Sequence, residues 1–187
     1  MRRSGLPFLL IVHRSYFIVP PSMRWILYFI LAYVALAIQV GAGPYLRWQG
    51  APPNLVLLVA IFIAVNAPKD AALLGCFSLG AMQDLLTQTP LGLYALSYGL
   101  VGMFVVSTQQ VVYRAHPLTH FSLALVGGML TSAVLFVHGL IHRPGPNFST
   151  LLTTTVYTAI LGPFVIGLLQ RAKRPFAFQP TRRKIKV

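Results

Sequence analysis

The feature that most constrains the fold is an uncharged run between Arg24 and Arg47, WILYFILAYVALAIQVGAGPYL. A helix needs about 20 mostly apolar residues to span the ~30 Å hydrocarbon layer of a membrane. The whole chain has this character, because 56% of its residues are hydrophobic and only 9% are charged, where a soluble domain carries ~25% charged residues. A water-soluble globular fold is therefore excluded, and the sequence predicts an all-α, polytopic membrane helix bundle.

Further apolar stretches follow, and turn-forming or charged residues separate each from the next. They lie at 52–68 and 70–86, and within 91–113, 119–141 and 151–170. With the first run they predict about six transmembrane helices, in a domain that covers residues 23–170. The second and third stretches are the weakest, and a re-entrant pair is the alternative there.

The basic residues are distributed unevenly around these stretches. If the N-terminus is cytoplasmic, all 15 Lys and Arg residues except Arg47 and Arg143 fall on the cytoplasmic side. Because cytoplasmic loops of membrane proteins are enriched in Lys and Arg, we expect both termini in the cytoplasm. The net charge of +13 then reflects orientation in the membrane and not an affinity for nucleic acid.

The two terminal segments are interpreted separately. Residues 1–22 contain LPFLLIV, which is too short to span, and no signal-peptide cleavage site follows it. We expect a cytoplasmic or interfacial extension, or a start assigned upstream of Met23. The tail 171–187 is expected to contact anionic lipid, at ~1 kcal/mol per basic residue near the surface, with an acidic cytosolic partner as the alternative. Its basic residues are Arg171, Lys173, Arg174, Arg182, Arg183, Lys184 and Lys186.

The chain offers little catalytic chemistry. It has 2 acidic residues and 1 cysteine, and it contains no P-loop, HExxH, GxSxG or CxxC motif. The pairs His116 with His120 and His138 with His142 have the spacing of two metal ligands on a helix, but no third ligand lies near them in the sequence. We expect no enzyme activity, no cofactor and no metal. The few ionisable residues within the spans favour a scaffold over a pump.

The two acidic residues are expected at opposite ends of the third helix. Asp70 should lie at its start, where the helix dipole favours an anion. Asp84 should lie about one turn from its outer end, where the dipole disfavours an anion. We expect Asp84 to pair with Arg47 or Arg143, or to accept hydrogen bonds from the following turn. A hydrated carboxylate at the membrane interface is the simpler alternative.

Small residues recur at every fourth position in all six stretches. Such rows let helix backbones approach closely in lipid, so they predict a tightly packed bundle, with an outward row for a partner helix as the alternative. The rows are Ala37 and Gly41; Ala60 and Ala64; Ala72, Cys76 and Gly80; Ala95 and Gly99; Ala124, Gly128 and Ser132; and Thr154, Thr158 and Gly162.

The segment 51–100 resembles the rod shape-determining protein MreD family. The resemblance lies in APPNLVLLVAIFIAV, GCFSLGAMQDLL and PLGLYALSYGLVG. The matching positions are Pro53, Asn54, Leu55, Gly75, Phe77, Gly80, Asp84, Leu85, Leu91, Gly92, Ala95 and Leu96. The sequence departs from the family pattern at Cys76, Ala81 and Met82 and in its extended N-terminus.

The resemblance implies a non-catalytic scaffold of the cell-elongation machinery for peptidoglycan synthesis in the bacterial inner membrane. Its implied partners are membrane lipid and a MreC-like bitopic protein, beside a MreB-type filament and the peptidoglycan polymerase and transpeptidase. The residues implied in partner binding or structure are Asp84, Arg47, Arg143, Pro53, Asn54, Gly75, Gly80 and Gly92.

The family fold is similar to the substrate-binding components of energy-coupling-factor transporters, and this likeness supplies the alternative function. On that alternative the chain is a membrane-embedded vitamin-binding component. Such components usually carry an Ala-x-x-x-Ala motif in the first helix, where this chain has Ala32, Ala35 and Ala37.

Overall fold

The computed structural model describes residues 25–87, 89–108, 117–141 and 147–171, and this part of the chain is helical with short connections. The helices are α1 (Trp25–Ala42), α2 (Leu55–Asn66), α3 (Lys69–Thr87), α4 (Leu93–Thr108), α5 (Pro117–Ile141) and α6 (Phe148–Arg171). They follow the order of the six apolar stretches, so the all-α prediction and the number of helices are confirmed for the described residues. Residues 1–22 and most of the basic tail lie outside that part.

The helices differ in their ability to cross a membrane. By length and composition, α1, α5 and α6 are long and apolar enough to do so, while α2 and α4 are shorter apolar helices. With 12 residues in α2 and 16 in α4, a rise of ~1.5 Å per residue gives about 18 Å and about 24 Å, against a hydrocarbon layer of ~30 Å. Six complete spans therefore stay a prediction.

The short helix α2 is the centre of the bundle. It contacts each of the other five described helices, and every side chain from Val56 to Val65 is at most 4% exposed. Because protein surrounds α2, its ends do not need to reach the membrane surface, provided that other side chains satisfy their backbone groups. Those side chains form the site described below.

Small residues set the distances between neighbouring helices. A Cβ atom added to Gly80 of α3 would lie 2.6 Å from the Cα atom of Ala95 in α4, and one added to Gly162 of α6 would lie 2.9 Å from the Cβ atom of Ala124 in α5. The predicted close packing is thus present in these two helix pairs. The row of Ala37 and Gly41 in α1 differs, because both residues are exposed.

The described helices alternate in direction, and we call one end of the bundle the polar end. There α1, α3 and α5 end and α2, α4 and α6 begin. Asp70 lies at the opposite end, in the first turn of α3, as the sequence predicts. At the polar end, hydrogen bonds join Tyr98 to Asn54 and Gln83, and Ser132 to Thr155, and these contacts define the candidate site.

Candidate functional site

Asp84 in the last turn of α3 is the buried acid of the polar end, with an exposed fraction of 1%. Its Oδ1 atom accepts hydrogen bonds from the Thr89 hydroxyl at 3.0 Å and from the Tyr94 amide at 2.9 Å. Its Oδ2 atom accepts hydrogen bonds from the amides of Gly92 at 3.0 Å and Ala95 at 3.1 Å. A carboxylate has about four lone-pair positions, so its acceptor capacity is fully used.

Among the described residues no cation lies beside this carboxylate, and its position at the start of α4 explains how it can be buried there. The first amides of a helix have no partner within the helix, and the helix dipole favours an anion there. The unfavourable dipole at the end of α3 is thereby offset by that of α4. Hydrogen bonds to charged groups contribute ~1.5–3 kcal/mol each, so Asp84 fixes the turn that joins α3 to α4.

The structure distinguishes between the alternatives for Asp84. The carboxylate accepts hydrogen bonds from the following turn, as one of them predicts, and its burial shows that the hydrated alternative is wrong. Arg47 is exposed, next to a tight turn closed by two backbone hydrogen bonds between Trp48 and Ala51, and no ion pair joins it to Asp84 within the described residues. Arg143 lies outside those residues, so pairing with it stays a prediction.

Gly92 is required by the geometry of the turn after Asp84. Its φ angle is +102°, a conformation that is unfavourable for residues with a Cβ atom. In this conformation its amide reaches the Oδ2 atom of Asp84. In the Leu-Gly pair of the family pattern, here Leu91 and Gly92, the glycine therefore has a definite structural role.

Asn54 organises the other half of the site, at the start of α2. Its Oδ1 atom caps the helix by accepting a hydrogen bond from the Leu57 amide at 3.0 Å. Its own backbone amide donates to the Thr158 hydroxyl of α6 at 2.9 Å. An N-cap of this kind contributes ~1 kcal/mol to helix stability, and here it also joins α2 to α6.

Gln39 of α1 satisfies the neighbouring backbone groups. Its Nε2 atom donates to the Pro53 carbonyl at 3.0 Å, and its Oε1 atom accepts from the Leu55 amide at 2.7 Å. The non-helical segment before α2 is thus held by side chains from two other helices. Non-helical backbone at membrane depth is tolerated where protein buries it in this way.

The Tyr98 hydroxyl joins the two halves. The residue is completely buried in α4, and its oxygen lies 2.9 Å from Asn54 Oδ1 and 2.6 Å from the amide oxygen of Gln83. A hydroxyl donates one proton, whereas an amide side chain can turn to present either its oxygen or its nitrogen. Tyr98 therefore donates to one amide and accepts from the other when Gln83 turns its nitrogen inward.

A cavity of about 350 Å³ lies among these groups. Its walls come from all six described helices and from the turn after Asp84. The described lining combines leucine and proline side chains with amides, hydroxyls, Tyr94 and the imidazole of His138, and it holds no Asp, Lys or Arg side chain. Its lining includes the amide or hydroxyl side chains of Asn54, Gln83, Thr131, Ser132, Thr154 and Thr155.

Two other residues implied by the resemblance lie inside the bundle. A Cβ atom added to Gly75 would lie 3.1 Å from the Ile63 side chain, and the Gly75 carbonyl accepts a hydrogen bond from Tyr28 at 2.8 Å. Gly80 lies where α3 and α4 approach each other closely. Of the basic tail the structure describes Arg171, at the end of α6; the others (Lys173, Arg174, Arg182, Arg183, Lys184 and Lys186) lie outside the described residues.

Comparison with known proteins places this fold in a family. The model of the family described as rod shape-determining protein MreD matches residues 21–172, a range that includes all six helices. The chain belongs to this family. The resemblance found in the segment 51–100 is thereby confirmed, and membership implies a role in rod-shape determination.

The other comparisons add no relative. No curated protein and no solved structure matches the chain. The expected likeness to the substrate-binding components of energy-coupling-factor transporters therefore stays a prediction.

For two residues of the site, nothing in the sequence predicts that they form hydrogen bonds between helices. Tyr98 reads as one aromatic residue among many in an apolar helix, and Thr158 reads as a member of a small-residue row. Gln39 and Gln83 are more conspicuous, because amides are rare within the apolar stretches. A buried amide needs a hydrogen-bond partner, but the sequence alone does not identify which partner.

Proposed function

We propose that this chain is a non-catalytic scaffold of the bacterial cell-elongation machinery, and that it binds a MreC-like bitopic membrane protein. A MreB-type filament and the peptidoglycan polymerase and transpeptidase act beside this complex. The observation that carries the proposal is the family match over residues 21–172. The chain lies in the cytoplasmic membrane, with both termini in the cytoplasm and the polar end on the outer side.

The hydrogen bonds of the polar end support a scaffold role. Asp84 uses all its acceptor positions within the chain, and Gln39 and Asn54 satisfy the backbone around the start of α2. Side chains whose hydrogen bonds are formed within the chain stabilise the fold and do not act on a substrate. A fixed shape is what a scaffold needs in order to present the same surface to its partner.

The surface beside Asp84 is the partner site in this proposal. Leu85, Leu86 and Leu91 are 68%, 52% and 77% exposed, and we call them the leucine corner. They flank the turn that Asp84 fixes, so their positions depend on a residue that the partner does not touch. An apolar helix of a bitopic protein has the matching chemistry for this corner, and the buried carboxylate positions the corner without contacting that helix.

Co-purification with the MreC-like protein of the same bacterium tests the proposal. The chain carries an affinity tag, and the recovered partner is measured per amount of tagged chain. Wild type should retain the partner, Leu91→Gln should lose it without loss of stability, and Asp84→Asn should retain less. Asp70→Asn is the matched control, because it makes the same change at the exposed opposite end of α3 and should leave recovery unchanged.

Two results would contradict the proposal at different levels. If wild type recovers no partner, the scaffold role with a MreC-like protein is wrong. If wild type, Leu91→Gln and Asp84→Asn recover equal amounts, the complex forms elsewhere and the leucine corner is not the partner site.

A further inference from the structure

The cavity at the polar end is lined by two amide side chains that each have one atom without a hydrogen-bond partner among the described residues. Asn54 is 9% exposed and Gln83 is 3% exposed, and both line the cavity. The hydrogen bonds of Asn54 use its Oδ1 atom and its backbone amide, and the side-chain contact of Gln83 uses one atom of its amide. The second amide atom of each side chain has no hydrogen-bond partner within the described residues.

These free amide atoms face the cavity. Among the described residues, no fully buried side-chain nitrogen or oxygen lacks a hydrogen-bond partner. The free atoms of Asn54 and Gln83 must therefore reach open space, and the cavity is the open space beside them. Because these atoms are open to the cavity, they can form hydrogen bonds with a polar occupant.

The hydroxyls across the cavity complement the amides. Thr131 donates to the carbonyl of Gly127, so its oxygen retains lone pairs that can accept hydrogen bonds. The Thr155 hydroxyl lies 3.0 Å from the carbonyl of Leu151 and 2.8 Å from the hydroxyl of Ser132, so its oxygen keeps one free acceptor position. Thr154 has no hydrogen bond within the described residues and can donate. The cavity thus presents neutral donors and neutral acceptors on facing walls.

The charge of the lining and the volume of the cavity further restrict the class of molecule that can bind there. The nearest carboxylate, Asp84, has no free acceptor position. The described lining carries no Lys, Arg or Asp side chain, and His138 is its one basic residue. A cation would have no counter-charge there, and an anion would have only the His138 imidazole beside it, so an ion would enter at a high desolvation penalty. The volume of about 350 Å³ corresponds to about a dozen water molecules at ~30 Å³ each and lies at the small end of the ~300–1,000 Å³ range for ligand sites.

We propose that this cavity binds an uncharged polyhydroxyl group, namely a sugar ring that is either free or the headgroup of a lipid. A sugar ring matches the mixture of neutral donors and acceptors. Its apolar C–H face matches the Tyr94 ring and the prolines Pro53 and Pro90 of the lining. This inference goes beyond the scaffold role and does not depend on partner binding.

Thermal unfolding in nanodiscs of zwitterionic lipid tests the proposal and separates the two sources. One arm adds methyl β-glucoside, and the other incorporates monoglucosyl diacylglycerol; diacylglycerol without sugar and phosphatidylglycerol are the lipid controls. Purification must avoid detergents with sugar headgroups, because they would occupy the cavity. We expect at least one glucosyl compound to raise the unfolding temperature in a dose-dependent way, while the lipid controls do not.

Variants locate the binding site. Gln83→Met and Thr154→Val each remove a hydrogen-bonding group and should weaken binding about threefold to tenfold, since a hydrogen bond contributes ~0.5–1.5 kcal/mol and 1.4 kcal/mol corresponds to a factor of about 10. Leu135→Trp fills the cavity and should abolish the shift while the chain stays folded. Thr108→Val, at the opposite end of α4, is the control and should bind as wild type.

The outcomes are decisive in both directions. A shift with methyl β-glucoside identifies a soluble sugar as the source, and a shift with the glycolipid alone identifies a lipid headgroup. If neither glucosyl compound exceeds the lipid controls, the proposal is wrong. It is equally wrong if Leu135→Trp responds as strongly as wild type.

Discussion

At the scale of single residues, Asp84 shows how one carboxylate can organise a turn in a membrane protein. Each of its oxygens accepts two hydrogen bonds, and three of the four donors are backbone amides of the turn and the first residues of α4. Replacement of one of these oxygens by an NH₂ group therefore leaves two donors without an acceptor at once. Asp84 therefore stabilises the start of α4 as well as the end of its own helix, α3.

Asp84→Asn should lower the free energy of unfolding by about 2–4 kcal/mol, because the new NH₂ group faces two donors and leaves them without an acceptor. Denaturant titration in mixed micelles measures the change. Asp70→Asn, on the exposed first turn of α3, should change stability by less than about 0.5 kcal/mol. Equal effects of the two variants would contradict the role assigned to Asp84.

Gly92→Ala should destabilise the fold by about 1–2 kcal/mol, because a residue with a Cβ atom is strained in this left-handed conformation. The space around the added methyl group is open, so the effect is conformational and not steric. Gly41→Ala is the matched control: it is an exposed helical glycine with open space around it, and alanine there should be neutral or stabilising. The same sign for both substitutions would show that the turn is not strained.

At the scale of helices, the central position of α2 has a physical cause that the sequence reveals only in part. The apolar run predicts a helix, but apolar side chains are required both against lipid and against other helices. Amphipathic periodicity therefore carries little information about which face is buried. Two sequence signals did point to α2: its stretch is among the shortest, and Asn54 stands at its start.

Tyr98→Phe should lower the free energy of unfolding by about 1–3 kcal/mol, because Asn54 and Gln83 lose their shared partner inside the bundle. The same unfolding titration measures it. Tyr33→Phe is the control, because the Tyr33 side chain is 75% exposed on α1 and makes no hydrogen bond within the described residues. If Tyr98→Phe is as mild as Tyr33→Phe, the link between α2, α3 and α4 is not energetically important.

At the scale of the whole molecule, the sequence predicts the order of the helices but not the cavity. Turn residues such as Gly43-Pro44 and Pro68-Lys69 separate the apolar stretches, and the helices end near them. The cavity forms only when isolated polar residues of separate helices lie next to each other. No local sequence pattern predicts which of these residues become neighbours. The hydrogen bond between Asn54 and Thr158, 104 positions apart, illustrates this limit.

Cysteine labelling in intact cells tests the proposed orientation. The native Cys76 is 0% exposed and should give little background, while Gln49 and Lys69 are exposed at opposite ends of the bundle. A membrane-impermeant maleimide added from outside should label Gln49→Cys and not Lys69→Cys, because the distribution of basic residues places the 42–54 connection outside. The reverse labelling would invert the topology.

Cell shape in the native bacterium tests whether this chain, and Asp84 within it, acts in rod-shape determination. The chain is depleted, and the length-to-width ratio of the cells is measured while variants are expressed at matched membrane abundance. We expect depleted cells to become round. Expression of the wild type or of Asp70→Asn should restore rod-shaped cells, whereas expression of Asp84→Asn should not. Depleted cells that remain rod-shaped, or full restoration by Asp84→Asn, would contradict this expectation.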